Sequence, residues 1–275
     1  MSLLWSDEIC IFVNHKGVRL VRRSSHWRPT ILDKLTIPCT GNTDTAWENQ
    51  ISTLEKIIQE APWNKGNVTV ILSNHFVRYL LIPWNELLLN DNEQKVYVGH
   101  LFSETYGDIS ENFDLRCSPE KPEMTRIASA VDHSFIQRIK ETISSAPRLT
   151  LKSIKPYLMS VYNSNSNQFI NKNGWFVIQE PGRICIVARG LGQWQCIKSI
   201  RIGSEWLNEI DDMFSREQLS EYANNIPAHV YLWAPEQNSF PSLLKNNWPI
   251  VKLTPKTYPG LSPESDLAYS MMAYD

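Results

Sequence analysis

A chain of 275 residues with 42% hydrophobic and 20% charged residues is ordinary globular material, long enough for one large domain or two smaller ones. Its formal charge of -2 excludes a sequence-wide polyanion-binding signal, so nucleic acid is not expected as a partner. The five cysteines, at 10, 39, 117, 185 and 196, show no CxxC spacing and are odd in number, which fits buried thiols in a reducing compartment.

The start, MSLLWSDEICIFV, has no basic n-region and is interrupted by Asp7 and Glu8, so it does not read as a signal peptide. No apolar run approaches the ~20 residues of a membrane-spanning helix. The expectation is a soluble cytoplasmic protein without a membrane span of its own, able to work at a membrane through a partner.

EICIF (8–12) and VRLVRR (18–23) are β-forming runs joined around Asn14, His15, Lys16 and Gly17, a hairpin in which Gly17 can take positive φ. A third run, ILDKLTI (31–37), precedes a helix over 45–61 with Trp47, Ile51, Leu54, Ile58 and Ala61 on one stripe and Thr45 with Glu48 at capping-box spacing. VTVILSNHFVRYLLIPW (68–84) reads as two runs of one sheet region joined by a bend at Ser73-Asn74-His75. A helix near 92–106, strands at 113–118 and 127–131, and a helix over 132–146 stopped by Pro147 follow.

Setting the strand at 113–118 aside, the first half reads β-β-β-α-β-α-β-α. The segment 149–174 reads as a strand, a helix started by Pro156 and a polar crossing at NSNSNQ. The same order then recurs. WFVIQ (175–179), ICIVA (184–188) and WQCIKSIRI (194–202) form a meander, turning at Glu180-Pro181-Gly182-Arg183 and at Arg189-Gly190-Leu191-Gly192. A helix from about Ser204 carries Trp206, Ile210 and Met213, and HVYLW (229–233), a helix near 240–246, PIVKL (249–253) and a helix from Pro263 to Met272, capped by Ser262, complete the set.

Two such units predict an α/β protein with mixed sheets: two ribonuclease-H-like subdomains with a cleft between them. The first covers 1–155 with the closing helix 262–275, and the second covers 156–261.

Catalytic patterns are weak. Adjacent side chains on an extended chain point to opposite faces, and there is no GxSxG elbow, so Ser73-Asn74-His75 reads as a bend, not a serine-hydrolase cluster. The histidines at 15, 26, 75, 100, 133 and 229 lack metal-ligand spacing, and no GxxxxGK[ST] loop exists. Arg19, Arg22, Arg23, His26 and Arg28 concentrate positive charge by the second strand; edge protection is preferred over a site for acidic headgroups or an acidic partner.

In detail the chain resembles the actin-like PilM-like and GspL-like proteins of type IV pilus and type II secretion assembly. The resemblance lies in VTVILSNHFVRYLLIPW, LKSIKPYLMSVYN, GWFVIQEPGRICIVARGLGQWQCIKSIRI and GLSPESDLAYSMMAYD. It implies an actin-like ATPase fold whose two hairpin loops would hold ATP and Mg²⁺. At those positions the chain offers Asn14, His15, Lys16 and Gly17, with no acid, and Glu180 and Gly182 around Pro181, which removes a backbone donor. The implied function is a non-catalytic scaffold without a cofactor, binding a peptide or domain of an inner-membrane assembly partner in a groove between subdomains. An ATP-binding, weakly hydrolysing actin-like protein is the second reading, and a sugar or acyl-phosphate kinase a distant third. Homo-oligomerisation is left open.

Overall fold

The computed structural model describes residues 6–25, 28–39, 47–86, 90–119, 121–169, 173–218, 229–237, 240–254, 258–262 and 265–273. In chain order the first elements are β1 (Glu8–Asn14), β2 (Gly17–Arg23), β3 (Ile31–Pro38), α1 (Glu48–Ile57), β4 (Gly66–Leu72), β5 (Arg78–Ile82), α2 (Asp91–Tyr106), β6 (Phe113–Cys117), β7 (Arg126–Asp132) and α3 (His133–Ser144). They are followed by β8 (Leu149–Pro156), α4 (Tyr157–Phe169), β9 (Gly174–Glu180), β10 (Arg183–Gly190), β11 (Gln193–Arg201), α5 (Trp206–Gln218), β12 (Val230–Trp233), β13 (Ile250–Lys252) and α6 (Leu267–Ser270). The chain divides into two compact units, one of residues 1–76, 133–164 and 255–275, the other of residues 77–132 and 165–254.

The first unit holds a five-stranded sheet in the order β3-β2-β1-β4-β8. β1, β2 and β3 form an antiparallel meander, while β4 joins β1 and β8 in parallel. Ile9 to Val13 of β1 are all buried, as a strand covered on both faces requires, and each large apolar side chain so placed contributes ~1.5–3 kcal/mol. α1 packs against α3 and β2, burying Ile51, Leu54 and Ile57. Ile58 just beyond the helix is also buried, whereas Ala61, expected on the same stripe, is exposed. The proposed cap Thr45 lies outside the described residues.

The second unit repeats the plan in a sheet ordered β11-β10-β9-β12-β13, again with an antiparallel meander followed by two parallel strands. Its core centres on Trp175, Phe214 and Trp248, with ring centroids 4.5 Å apart for Trp175 and Phe214 and 5.2 Å for Phe214 and Trp248. On α5 the stripe is Trp206, Ile210 and Phe214, and the expected Met213 is only half-buried.

A second layer of this unit is the three-stranded antiparallel sheet β5-β7-β6, with α2 packed through Val98 and Phe102 onto Ala128 and Ala130. This changes the reading of 68–84. β4 and β5 do not pair with each other: Ser73 N–H still donates to Val13 O (3.0 Å) at the end of the first sheet, then the chain turns at Phe76 N–H to Ser73 O (2.9 Å) and enters another sheet. The strand at 127–131 and the helix at 92–106 belong to this layer, so the last strand of the first five-stranded sheet is β8 and the helix before it is α3. By contacts, residues 77–132 group with the second unit, where β5 lies alongside β11, and 156–164 and 255–261 with the first, a different division from the expected 1–155 with 262–275 and 156–261.

Other expectations are corrected locally. NSNSNQ is not a crossing but part of α4, inside which the division falls. The segment 240–246 is not helical where described: Leu243 bridges to Pro249, and Asn247 takes φ 64° in the turn between them. The closing α-helix begins at Leu267, with Asp266 at its N-cap, not at Pro263, which lies outside the described residues.

Candidate functional site

At the β1–β2 turn the backbone is occupied by the chain itself. Asn14 Oδ1 accepts from the Lys16 N–H (2.8 Å), the Lys16 carbonyl accepts from the Cys39 N–H (2.8 Å), and the His15 carbonyl accepts from Gln50 Nε2 (3.1 Å). The His15 ring stacks on His75 with centroids 3.8 Å apart. Gly17 sits at φ 155°, where an added Cβ would overlap the Ile37 carbonyl oxygen. Its lack of a side chain is thus required by the close approach of the end of β3. A phosphate needs free backbone donors, and the Lys16 amide is committed.

At the β9–β10 turn, in the other unit, Gly182 takes φ 77° and its carbonyl accepts from the Ile202 N–H (3.2 Å). Glu180, just before Pro181, is buried at 6% exposure. Arg183 pairs across the ladder with Arg201, placing two like charges opposite each other. Its Nη1 donates to Ser199 Oγ (3.0 Å), while its Nε is buried without a hydrogen-bond partner. Burial lowers the Arg183 pKa, Arg201 and Arg78 push the same way, and Glu180 opposes them. Burial, with Glu180 nearby, pushes the Cys185 thiol well up, so it is an inert core thiol. Asn14, His15, Lys16 and Gly17 thus share one turn, and Glu180 and Gly182 another, with no carboxylate on the first and no proline N–H on the second.

Ser73 and Asn74 are fully buried, and Ser73 Oγ accepts from the His75 N–H (3.2 Å), the geometry of a polar turn. In the basic run at 19–28, Arg22 is gripped by Asp33 (2.5 Å) and Asp7 (2.5 Å), and Arg23 pairs with Glu8. Burial alone would lower the Arg22 pKa; Asp33 and Asp7 more than offset it and hold it above the ordinary value. β2 is not an edge strand, since it pairs with both β1 and β3, so the edge-protection reading does not hold; Arg22 and Arg23 instead join neighbouring chain segments, and His26 lies outside the described residues.

What the sequence did not single out is a cavity of about 520 Å³ in the β5-β7-β6 layer, under the first turns of α2. Ile82, Val98, Phe113 and Leu115 supply apolar walls, and Cys117 lines one end. Arg126 enters it with Nη1 donating to Gln94 Oε1 (2.7 Å) and its guanidinium 5.7 Å from the centre of the Trp84 ring. Its Nε is buried and has no hydrogen-bond partner. Cys117 is an exposed thiol, not the buried one expected; partial desolvation still raises its pKa, against the opposing pull of Arg126. The sequence signal was the dipeptide Pro83-Trp84 with Arg126 some forty residues on, which only the folded sheet brings together. Among the described residues no three His, Cys, Asp or Glu side chains converge as a metal site.

No protein-family model matches the chain, and no curated protein matches its sequence. Solved structures do resemble it. The cytoplasmic domain of EpsL, an inner membrane component of the type II secretion system of Vibrio cholerae, is 9% identical with a TM-score of 0.59, over 98% of this chain and 96% of that one. The protein of the PilM-PilN type IV pilus biogenesis complex is 13% identical with a TM-score of 0.66, over 96% and 97%. A Bacteroides thetaiotaomicron protein described as having an actin-like ATPase fold and unknown function is 12% identical with a TM-score of 0.63, over 98% and 96%. With the repeated mixed sheets in matching strand order, these likenesses establish that the chain has the actin-like ATPase fold.

Proposed function

We propose that the protein is a non-catalytic actin-like scaffold of a bacterial type IV pilus or type II secretion apparatus, at the cytoplasmic face of the inner membrane, where it binds an inner-membrane assembly partner. The observation that carries this reading is the likeness over nearly the whole chain to an EpsL cytoplasmic domain and to a PilM-PilN complex component. One turn supports it: the Lys16 backbone N–H, a donor a nucleotide phosphate would use, is given to the Asn14 side chain. No described helix is long and apolar enough to cross a membrane, so attachment through a partner accounts for an inner-membrane role.

Capture from detergent-solubilised membranes of the native organism, with the whole chain immobilised, should recover an inner-membrane protein of such a machine. Recovery of none of its components overturns the reading. Asn14, His15, Lys16, Gly17, Glu180 and Gly182 remain the positions at which an ATP-binding protein of this fold would act. Calorimetry with ATP and Mg²⁺ is expected to give no binding heat; heat abolished by Lys16→Ala with Glu180→Ala favours the nucleotide-binding reading instead.

A further inference from the structure

We propose that the cavity under the first turns of α2 takes a short apolar segment of a partner protein carrying one carboxylate, recognised by Arg126. The proposal rests on the scaffold reading and names the chemistry of the segment bound. Arg126 is poised for an acceptor that the described residues do not supply. Gln94 and Trp84 fix its guanidinium, and its buried Nε–H has no partner. A carboxylate can accept two parallel N–H bonds from a guanidinium edge, the arrangement that satisfies such a donor.

The remaining charges favour the same ligand. Among the described residues Lys95 and Arg116 also line the cavity, giving three cations with Arg126 against one carboxylate, Asp91. Ile82, Val98, Phe113 and Leu115 offer apolar contact on either side of that charge, and about 520 Å³ is room for a few side chains. β6, which lines the cavity, is an edge strand: it pairs with β7, and no other strand adds to it among the described residues. An extended segment can use its free edge, which favours a piece of protein over a small metabolite.

The test is selection of random peptides displayed on phage against the whole chain. Selected sequences should carry Asp or Glu beside apolar residues, and Arg126→Met should weaken their binding by about tenfold or more, as loss of a charge-assisted hydrogen bond does. The same peptide with its acidic residue amidated should lose binding to the unaltered protein, so the result does not depend on the variant folding. The acidic peptide should also slow alkylation of Cys117 by iodoacetamide, and the amidated one should not.

Failure to select any peptide, selected sequences without an acidic residue, undiminished binding of the amidated peptide, or no protection of Cys117 each overturns the proposal. Membrane capture separates the two readings. If Arg126→Met still recovers the assembly partner in full, the scaffold stands and this docking mode falls; if peptides bind as expected but no assembly component is captured, the reverse holds.

Discussion

Two groups of arginines show how differently the two units spend charge. In the first unit Arg22 and Arg23 face Asp33, Asp7 and Glu8, carboxylates on neighbouring strands or just before β1. In the second, Arg183 stands opposite Arg201, Arg78 lies over Phe113 (4.8 Å), and Arg126 lies over Trp84, with none of the four in an ion pair among the described residues. Matched cations hold segments of one fold together. Unmatched ones raise no comparable stability and leave positive charge available to something outside the unit.

The largest expected effect of breaking a match is at Asp266. Its buried carboxylate accepts from Lys34 Nζ (2.5 Å) and from the Ser262 N–H (2.8 Å). Burial alone would raise its pKa, but Lys34 and the Ser262 amide together hold it below the ordinary carboxylate value. A depressed folded-state pKa contributes stability that is present above the unfolded value and lost as pH falls through the folded one. Asp266→Asn is therefore expected to cost about 2 kcal/mol near neutral pH, and the difference from the parent should shrink below about pH 4, in urea unfolding followed at both pH values. An undiminished difference in acid contradicts the assignment.

Arg22→Met should cost less, about 1 kcal/mol, because this pair is only partly buried, and added salt should narrow the gap. The contrast is sharpest at Arg201. Removing one member of a like-charged cross-strand pair in Arg201→Thr should stabilise the protein by about 0.5 kcal/mol, seen as a higher denaturant midpoint at unchanged slope. A loss of similar size would mean that Arg201 has a counter-charge in the folded chain.

The meanders were legible because their signals are local. ICIFV and ICIVA are continuous apolar runs of strands buried on both faces, and Gly17 and Gly182 mark turns that need them. The resemblance in LKSIKPYLMSVYN and in the second meander likewise led to the fold that the solved structures share. What misled was a pairing: VTVIL and RYLLI look like neighbours, but the hydrogen bond from Ser73 to Val13 ends one sheet before the next begins. Sequence period sets which face of a strand is buried and says nothing of which sheet it joins. The Arg126 cavity was hidden for a related reason, since its walls come from β5, α2, β6 and β7, and no short motif spans them.

The clamp between Lys34 and Asp266 joins residues 232 positions apart, and Thr36 and Tyr269 meet beside it with hydroxyl oxygens 2.5 Å apart. During synthesis on the ribosome, β3 emerges long before the segment that completes its surroundings. The first unit therefore stays open to chaperones and proteases until nearly the whole chain has left the exit tunnel, and a nascent chain halted before residue 255 should be digested far faster there than one halted with its closing helix outside.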